Sequence, residues 1–181
     1  MPTQTALIVK PKYKELAMET FEGTGVKITT EGERHMGAVI GSETFKELYV
    51  KEKIEKWVRD VEELAEIAKD EPQAVYASFT KVVSHRWTYV QRTIPGIDDL
   101  FTPLEEAIRD KLIPSLVGRK VSNIERRILT LPVRYGGLGI RNPTNASCEF
   151  LASSKVTDIL TQIIVRQERD FNTWGGSILY R

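Results

Sequence analysis

The sequence predicts an α+β chain in which a small N-terminal strand-helix-hairpin unit precedes a mainly α-helical bundle. Up to about Ser42 the apolar residues come in short runs or alternate with polar ones, the period of strands. From Glu43 onward they recur at three- and four-residue steps, the period of amphipathic helices. Breaks at Gly23, Pro72 and Pro95-Gly96 separate the segments.

Thr5 to Val9 is a continuous apolar run that reads as a first strand, closed by Lys10-Pro11. A helix over Lys12 to Glu22 follows, with Leu16, Ala17, Thr20 and Phe21 on one face. Val26 and Ile28 alternate with Lys27 and Thr29, and the chain resumes at Arg34-His35-Met36-Gly37-Ala38-Val39-Ile40. The intervening Thr30-Glu31-Gly32-Glu33 predicts a hairpin turn with Gly32 at positive φ, and Gly37 leaves one strand position without a side chain. Three strands and one helix leave sheet edges exposed, which suggests a truncated unit.

The first long helix carries Phe45, Leu48, Tyr49, Ile54, Trp57, Val58, Val61, Leu64, Ala65 and Ala68 and ends before Pro72. Its other face mixes Lys53, Lys56 and Arg59 with Glu52, Glu55, Asp60, Glu62 and Glu63, the pattern of a solvated surface. A second helix runs from Pro72 to about Thr93, burying Val75, Phe79, Val82, Val83, Trp87, Val90 and Ile94. Opposite that face Lys81, His85, Thr88 and Arg92 line up at helical spacing without acidic neighbours in sequence. Such a stripe can track a phosphate backbone, although a lone basic helix face is more commonly a solubilising surface. A third helix opens at Asp98 or Asp99 and ends near Pro114. A fourth, Ser122 to Leu129, has Ser122 and Glu125 as a capping box. The glycine-rich loop Leu131 to Pro143 precedes a final helical region from about Thr144 to Arg169, bending near Ser153-Ser154 and exposing Arg166 and Arg169. The tail from Asn172 to Arg181 is expected to fray.

At 181 residues, 41% hydrophobic and 28% charged, the composition is that of a globular chain with a core. Its net charge of +1 excludes a polycation, so any nucleic-acid contact must come from a local patch. A single cysteine, Cys148, makes no internal disulfide, and with two histidines it cannot build a closed zinc site; no cofactor or structural metal is expected. The apolar run Ala6 to Val9 is too brief for a signal-peptide core, and no stretch approaches membrane-spanning length. An intracellular chain, cytoplasmic or nuclear and without a membrane partner, is the expectation.

The adjacent carboxylates Asp98 and Asp99 suggest two-metal chemistry, but the pair follows Pro-Gly and opens a helix, so capping is the better account. The loop from Arg134 to Arg141 offers backbone amides and two arginines to a phosphate, yet lacks the lysine-serine/threonine ending of a nucleotide loop; it reads mainly as a turn that packs helices closely. No serine, histidine or cysteine stands where a base would activate it.

Four stretches together resemble the C-terminal part of a retrotransposon-type reverse transcriptase, from the end of the palm through the thumb and its extension. Arg34 to Gly41 is similar to the primer-grip hairpin, with Met36 where the family usually has leucine. Trp57 to Ala68 with Pro72-Gln73-Ala74-Val75-Tyr76 resembles the first thumb helices. Tyr89 to Pro95 with Pro103-Leu104-Glu105 resembles the next segment, and Leu131-Pro132 with Gly136-Gly137-Leu138-Gly139-Ile140 the extension. The resemblance spans about Ala6 to Gln167 and divides the chain into 1–42 as end of palm with a primer-grip-like hairpin, 43–118 as thumb-like helices and 119–181 as helical extension.

The resemblance implies that the parent activity is RNA-directed DNA synthesis, and that Arg34, His35, Met36 and Gly37 lie at the primer terminus. Lys81, His85, Arg92, Arg134 and Arg141 are the candidate contacts to the backbone of an RNA–DNA or DNA template–primer, and Lys10 stands where the family has a lysine near the incoming nucleotide. The metal-binding strand and the aromatic-x-Asp-Asp hairpin would precede residue 1. The expectation is therefore a gripping fragment with no catalytic or metal-binding residues of its own, partnered by palm and fingers segments; magnesium belongs to an intact parent polymerase. The alternative is a helical protein–protein interaction module with no nucleic-acid role.

Overall fold

The computed structural model describes residues 5–35 and 37–165, and the fold is α+β with a mainly helical bundle. Met36, Arg166, Arg169 and the tail from Asn172 lie outside the described residues. The N-terminal unit begins with β1 (Ala6–Ile8), a 3-10 turn at Pro11–Tyr13 and helix α1 (Lys14–Thr20), then β2 (Lys27–Thr29). β1 and β2 pair in parallel, Ala6 with Lys27, Leu7 with Ile28 and Ile8 with Thr29. A parallel pair needs a crossover of a dozen or more residues, and α1 supplies it. Only Ala17 of α1 is buried; Leu16 is 61% and Phe21 38% exposed, so the expected apolar face stands open.

The hairpin differs from the sequence expectation. It joins β3 (Gly32–His35) to β4 (Ala38–Gly41), antiparallel, with Gly32 opposite Gly41 and His35 opposite Ala38. The segment Val26 to Thr29 is not its first strand, because β1 has claimed those backbone groups. The turn includes Gly37, at φ +84°. Gly32 serves another purpose than the positive φ expected of it: a Cβ there would lie 2.4 Å from Phe45 Cδ1 and 2.7 Å from the Ile40 carbonyl oxygen. Its missing side chain lets the hairpin sit against the first long helix.

That helix, α2 (Glu43–Ile67), starts at Ser42, whose hydroxyl accepts from the Phe45 amide. It buries Val50, Ile54, Trp57, Val61 and Ala65. The predicted second helix is interrupted: α3 (Pro72–Ser78) passes through a π turn, Phe79–Val83, into α4 (His85–Thr93). The extra residue in that turn rotates the following face, which explains why Val82, expected in the core, is 58% exposed. Asp98–Phe101 forms a 3-10 turn before α5 (Thr102–Ala107), a second π turn at Ile108–Leu112, and α6 (Ile113–Val117), which ends at left-handed Gly118. The helical path thus runs past Pro114. The preceding π turn already displaces the i→i−4 ladder, so the missing proline N–H costs little. Helix α7 (Asn123–Thr130) carries the expected capping box: Ser122 Oγ accepts from the Glu125 amide and Glu125 accepts from the Ser122 amide. Helix α8 (Ala146–Leu160) runs along α4, passes through Ser153 and Ser154 as helix, and continues into a π turn, Thr161–Val165.

Three aromatic contacts centre the core. Trp57 lies 6.0 Å from Trp87 and 6.3 Å from Phe101, and Phe79 lies 6.0 Å from Trp87, tying α2, α4 and the turns beside them. The extension is attached differently. Arg126 is buried and forks onto Glu105 of α5, with Nε to Oε1 and Nη2 to Oε2 both 2.7 Å. Its Nη1 also donates to the Ile140 carbonyl at 2.8 Å. Gln91 of α4 donates to the Pro143 carbonyl at 2.7 Å and Tyr76 of α3 to that of Leu138 at 2.8 Å. The loop is therefore held by three side chains from three helices.

Removing one partner of a buried pair leaves the other charge stranded at a cost of roughly 3–5 kcal/mol, while replacing both by apolar residues is often neutral. Arg126→Met is expected to lower the unfolding free energy by that much, read as a lower urea midpoint at unchanged m-value, and Glu105→Leu in the same chain to recover most of it. A loss below about 1 kcal/mol, the size of an ordinary substitution, would count against the pair as the clamp.

The α7 cap also predicts a pH response. The hydrogen bond from Arg119, then those from the Ser122 amide and hydroxyl, hold the Glu125 carboxyl at about 2 against an ordinary 4.5. A depressed carboxylate contributes its stability above the unfolded value and loses it as pH falls through the folded one. Glu125→Gln is expected to flatten the decline in melting temperature between pH 4.5 and about 2; parallel declines for the two proteins would contradict this.

Candidate nucleic-acid interface

Where the β3–β4 turn meets α2 and α4, a groove of about 400 Å³ opens to the surface. Helix periodicity builds one wall. Tyr49, Lys53, Lys56 and Asp60 follow one another at steps of four, three and four along α2 and all line the groove. Arg86 and Tyr89, three apart on α4, form the other wall, and Arg34 and Gly37 of the hairpin close one end. Trp57, in the aromatic core, also lines it, so the floor is rigid.

Among the described residues the groove carries four cationic side chains against one carboxylate, in a chain whose net charge is only +1. Arg34 and Lys53 both lie against the Tyr49 ring, 5.9 and 5.6 Å from its centroid, which fixes two charges by cation–π attraction. Tyr49 also donates from its hydroxyl to the Gly37 carbonyl at 2.8 Å, latching the hairpin turn onto α2. Gly37 itself has room to spare: a Cβ would meet Tyr89 at 3.5 Å. Among the described residues Arg34, Lys53 and Lys56 form no ion pair; Arg86 pairs with Asp60, Nη1 to Oδ2 2.7 Å. Converging cations with aromatic rings between them suit a sugar–phosphate backbone with a base or sugar face nearby.

The other expected site residues are spread more widely. Arg34 and Gly37 reach the groove, and His35 is exposed on β3. Lys81 and His85 are exposed and, among the described residues, form no ion pair. Arg92 is not free of acidic neighbours as its sequence surroundings imply: Glu149 of α8 reaches it at 3.1 Å and reaches Arg141 at the same distance. Glu149 lies 57 positions away in sequence, and the packing of α8 on α4 brings it there. Arg134 lies 5.0 Å from the Tyr135 ring centroid, on the loop. Lys10 is exposed in the N-terminal unit, just before the 3-10 turn.

The loop amides are spent within the loop and on the end of α7. Those of Leu138 and Ile140 donate to the Leu129 carbonyl, that of Gly139 to Leu131 and that of Gly137 to Pro132. They form no phosphate cradle. A Cβ at Gly137 would lie 2.0 Å from the Leu131 oxygen, so this glycine exists for close packing, as expected of the loop. Asp98 does cap a helix, though a distant one: its carboxylate accepts from the Ser147 amide and hydroxyl at 2.9 and 2.8 Å, at the start of α8. Burial works against its charge, and these hydrogen bonds outweigh that, holding the carboxyl below its usual range. Among the described residues no group of three or more His, Cys, Asp or Glu converges as metal ligands, and no helix is long and apolar enough to cross a membrane.

Tyr49, Lys53, Lys56, Arg86 and Tyr89 were not among the sequence-derived site residues. Their signal lay in the spacing along α2, obscured by Glu52, Glu55, Glu62 and Glu63, which interleave in sequence and fall on other faces. A larger depression of about 530 Å³ lies between α2 and the 3-10 turn, walled by Ile54, Val58 and Leu100. Its rim charges, Lys51 and Arg59 against Glu55 and Asp99, cancel, so it offers nothing to a polyanion.

Tyr49→Phe keeps the ring that orders Arg34 and Lys53 and removes only the bond to Gly37. It is expected to cost about 0.5–1.5 kcal/mol and to speed amide exchange in the β3–β4 hairpin relative to α2; unchanged hairpin exchange would show that other contacts hold the turn. Set against models of protein families, curated proteins and solved structures, the chain matches none.

Proposed function

We propose that this chain is the primer-gripping and thumb part of a retroelement reverse transcriptase, and that it holds the backbone of a template–primer duplex in the groove between the hairpin and helices α2 and α4. The observation that carries the reading is the convergence of Arg34, Lys53, Lys56 and Arg86 on one groove beside the hairpin whose sequence resembles a primer grip. Contacts of this kind position a backbone and read no bases, so an RNA–DNA hybrid and a DNA duplex are both ligands of the right chemistry. Lys81 and His85, exposed at the junction of the π turn with α4, are further candidate backbone contacts outside the groove lining. The parent reaction, RNA-directed DNA synthesis, is the context of this gripping role, supplied by palm and fingers segments as partners.

A second reading, a helical protein-interaction module, draws on a different surface. Ile124 is 73% and Ile128 45% exposed on α7, and Val133 and Tyr135 stand exposed on the loop beyond. A salt-insensitive complex, or an obligate dimer without nucleic-acid affinity, would favour it.

The test is binding of the purified chain to a labelled RNA–DNA primer–template across a salt series. Log affinity is expected to fall linearly with log salt, and Lys53→Ala with Lys56→Ala to flatten the slope by about 0.9 for each phosphate no longer neutralised. A slope indifferent to both substitutions would remove the groove from the interface.

A further inference from the structure

Resting on that reading of the groove, we infer that Asp60 is its built-in counter-ion, occupying Arg86 until a phosphate displaces it and thereby setting the affinity of the site for polyanions. Among the described residues Asp60 is the one carboxylate that lines the groove. It stands one turn beyond Lys56 on α2 and takes a single hydrogen bond from Arg86 Nη1, 2.7 Å from its Oδ2. Arg126 is held quite differently. That guanidinium forks onto Glu105 with both side chains at most 10% exposed, whereas the Arg86 and Asp60 side chains are 49% and 26% exposed.

A one-point pair open to water contributes little to folding, because water screens it and two side chains must be held still. The same openness makes it exchangeable. A phosphodiester entering the groove meets Arg34, Lys53 and Lys56, which have no ion-paired acid among the described residues, and finds Arg86 already oriented into the groove by Asp60. It takes over that guanidinium in a charge-assisted hydrogen bond, and the carboxylate returns to water. Asp60 therefore acts in two opposed ways. It keeps Arg86 placed in the empty groove, and it withholds one positive charge from the ligand. Weak, reversible grip is what a surface that must release and re-engage a moving backbone needs, and one carboxylate supplies it without altering the groove's shape.

The experiment is a double-mutant cycle on the full chain, read by anisotropy of a labelled RNA–DNA primer–template across a salt series. Asp60→Asn, nearly isosteric, is expected to bind roughly fivefold tighter, the scale of an exposed ion pair released, at a nearly unchanged salt slope, because the same phosphates are engaged whether Asp60 is displaced or absent. In an Arg86→Ala background the same substitution is expected to lose most of that gain, and Asp60→Glu to restore wild-type binding. Binding of Asp60→Asn equal to wild type overturns the inference while leaving the groove reading intact. So does an equal gain with and without Arg86, which would mean a general field of the carboxylate instead of a displaced pair. Failure of both wild type and Asp60→Asn to bind at low salt removes the groove reading itself. Thermal melting of each variant separates these outcomes from loss of the fold.

Discussion

The contact between Trp57 and Trp87 fixes the distance between α2 and α4, and most of what lies around it depends on that distance. The two indoles, with Phe79 and Phe101 against them, fill the space between these helices. Large rings with few rotatable bonds pack without much loss of side-chain freedom. Because Trp57 also lines the groove, the walls bearing Lys53, Lys56 and Arg86 are spaced by core packing and not by their own mutual repulsion. Like charges gathered this closely oppose one another, and only a rigid frame holds them in place for a ligand.

The second constraint is polar. Arg126 gathers a carboxylate from α5 and a carbonyl from the glycine-rich loop around one guanidinium, while Gln91 and Tyr76 take two more loop carbonyls. A loop that packs against helices would otherwise leave buried carbonyls without donors, a cost of some kcal/mol for each. Arginine suits the position because its planar fork satisfies several acceptors at once. The same loop closes on the end of α7 through its own amides, with Gly137 small enough to permit it. The extension is thus docked by directional bonds, which define its placement more narrowly than apolar contact alone.

The π turns at Phe79–Val83 and Ile108–Leu112 show how the bundle reconciles helices with an imperfect apolar period. Each inserts a residue into the helical path and rotates the face that follows. In the first, Phe79 and Val83 remain buried while Val82 turns outward, and Trp87 then arrives on the side of Trp57. In the second, Ile108, Leu112 and Ile113 are all buried, and Pro114 is accommodated just beyond.

The sequence by itself determined what rests on neighbours within about four positions: the helical period from Glu43, the capping box of Ser122 and Glu125, and the apolar stripe of α2. Periodicity and capping are local physics, so they are legible in the order of residues. The tertiary structure alone decided which strand partners Lys27–Thr29, where the hairpin turns, and which cations are left to a ligand. Parallel β1–β2 pairing is chosen by the crossover through α1, a competition that periodicity does not register. Arg92 met Glu149 from 57 positions away, while Lys53 and Lys56 kept clear of the carboxylates written beside them. Whether a charge is paired depends on the direction its helix face points and on what packs there, and those distances exist only once the chain has folded.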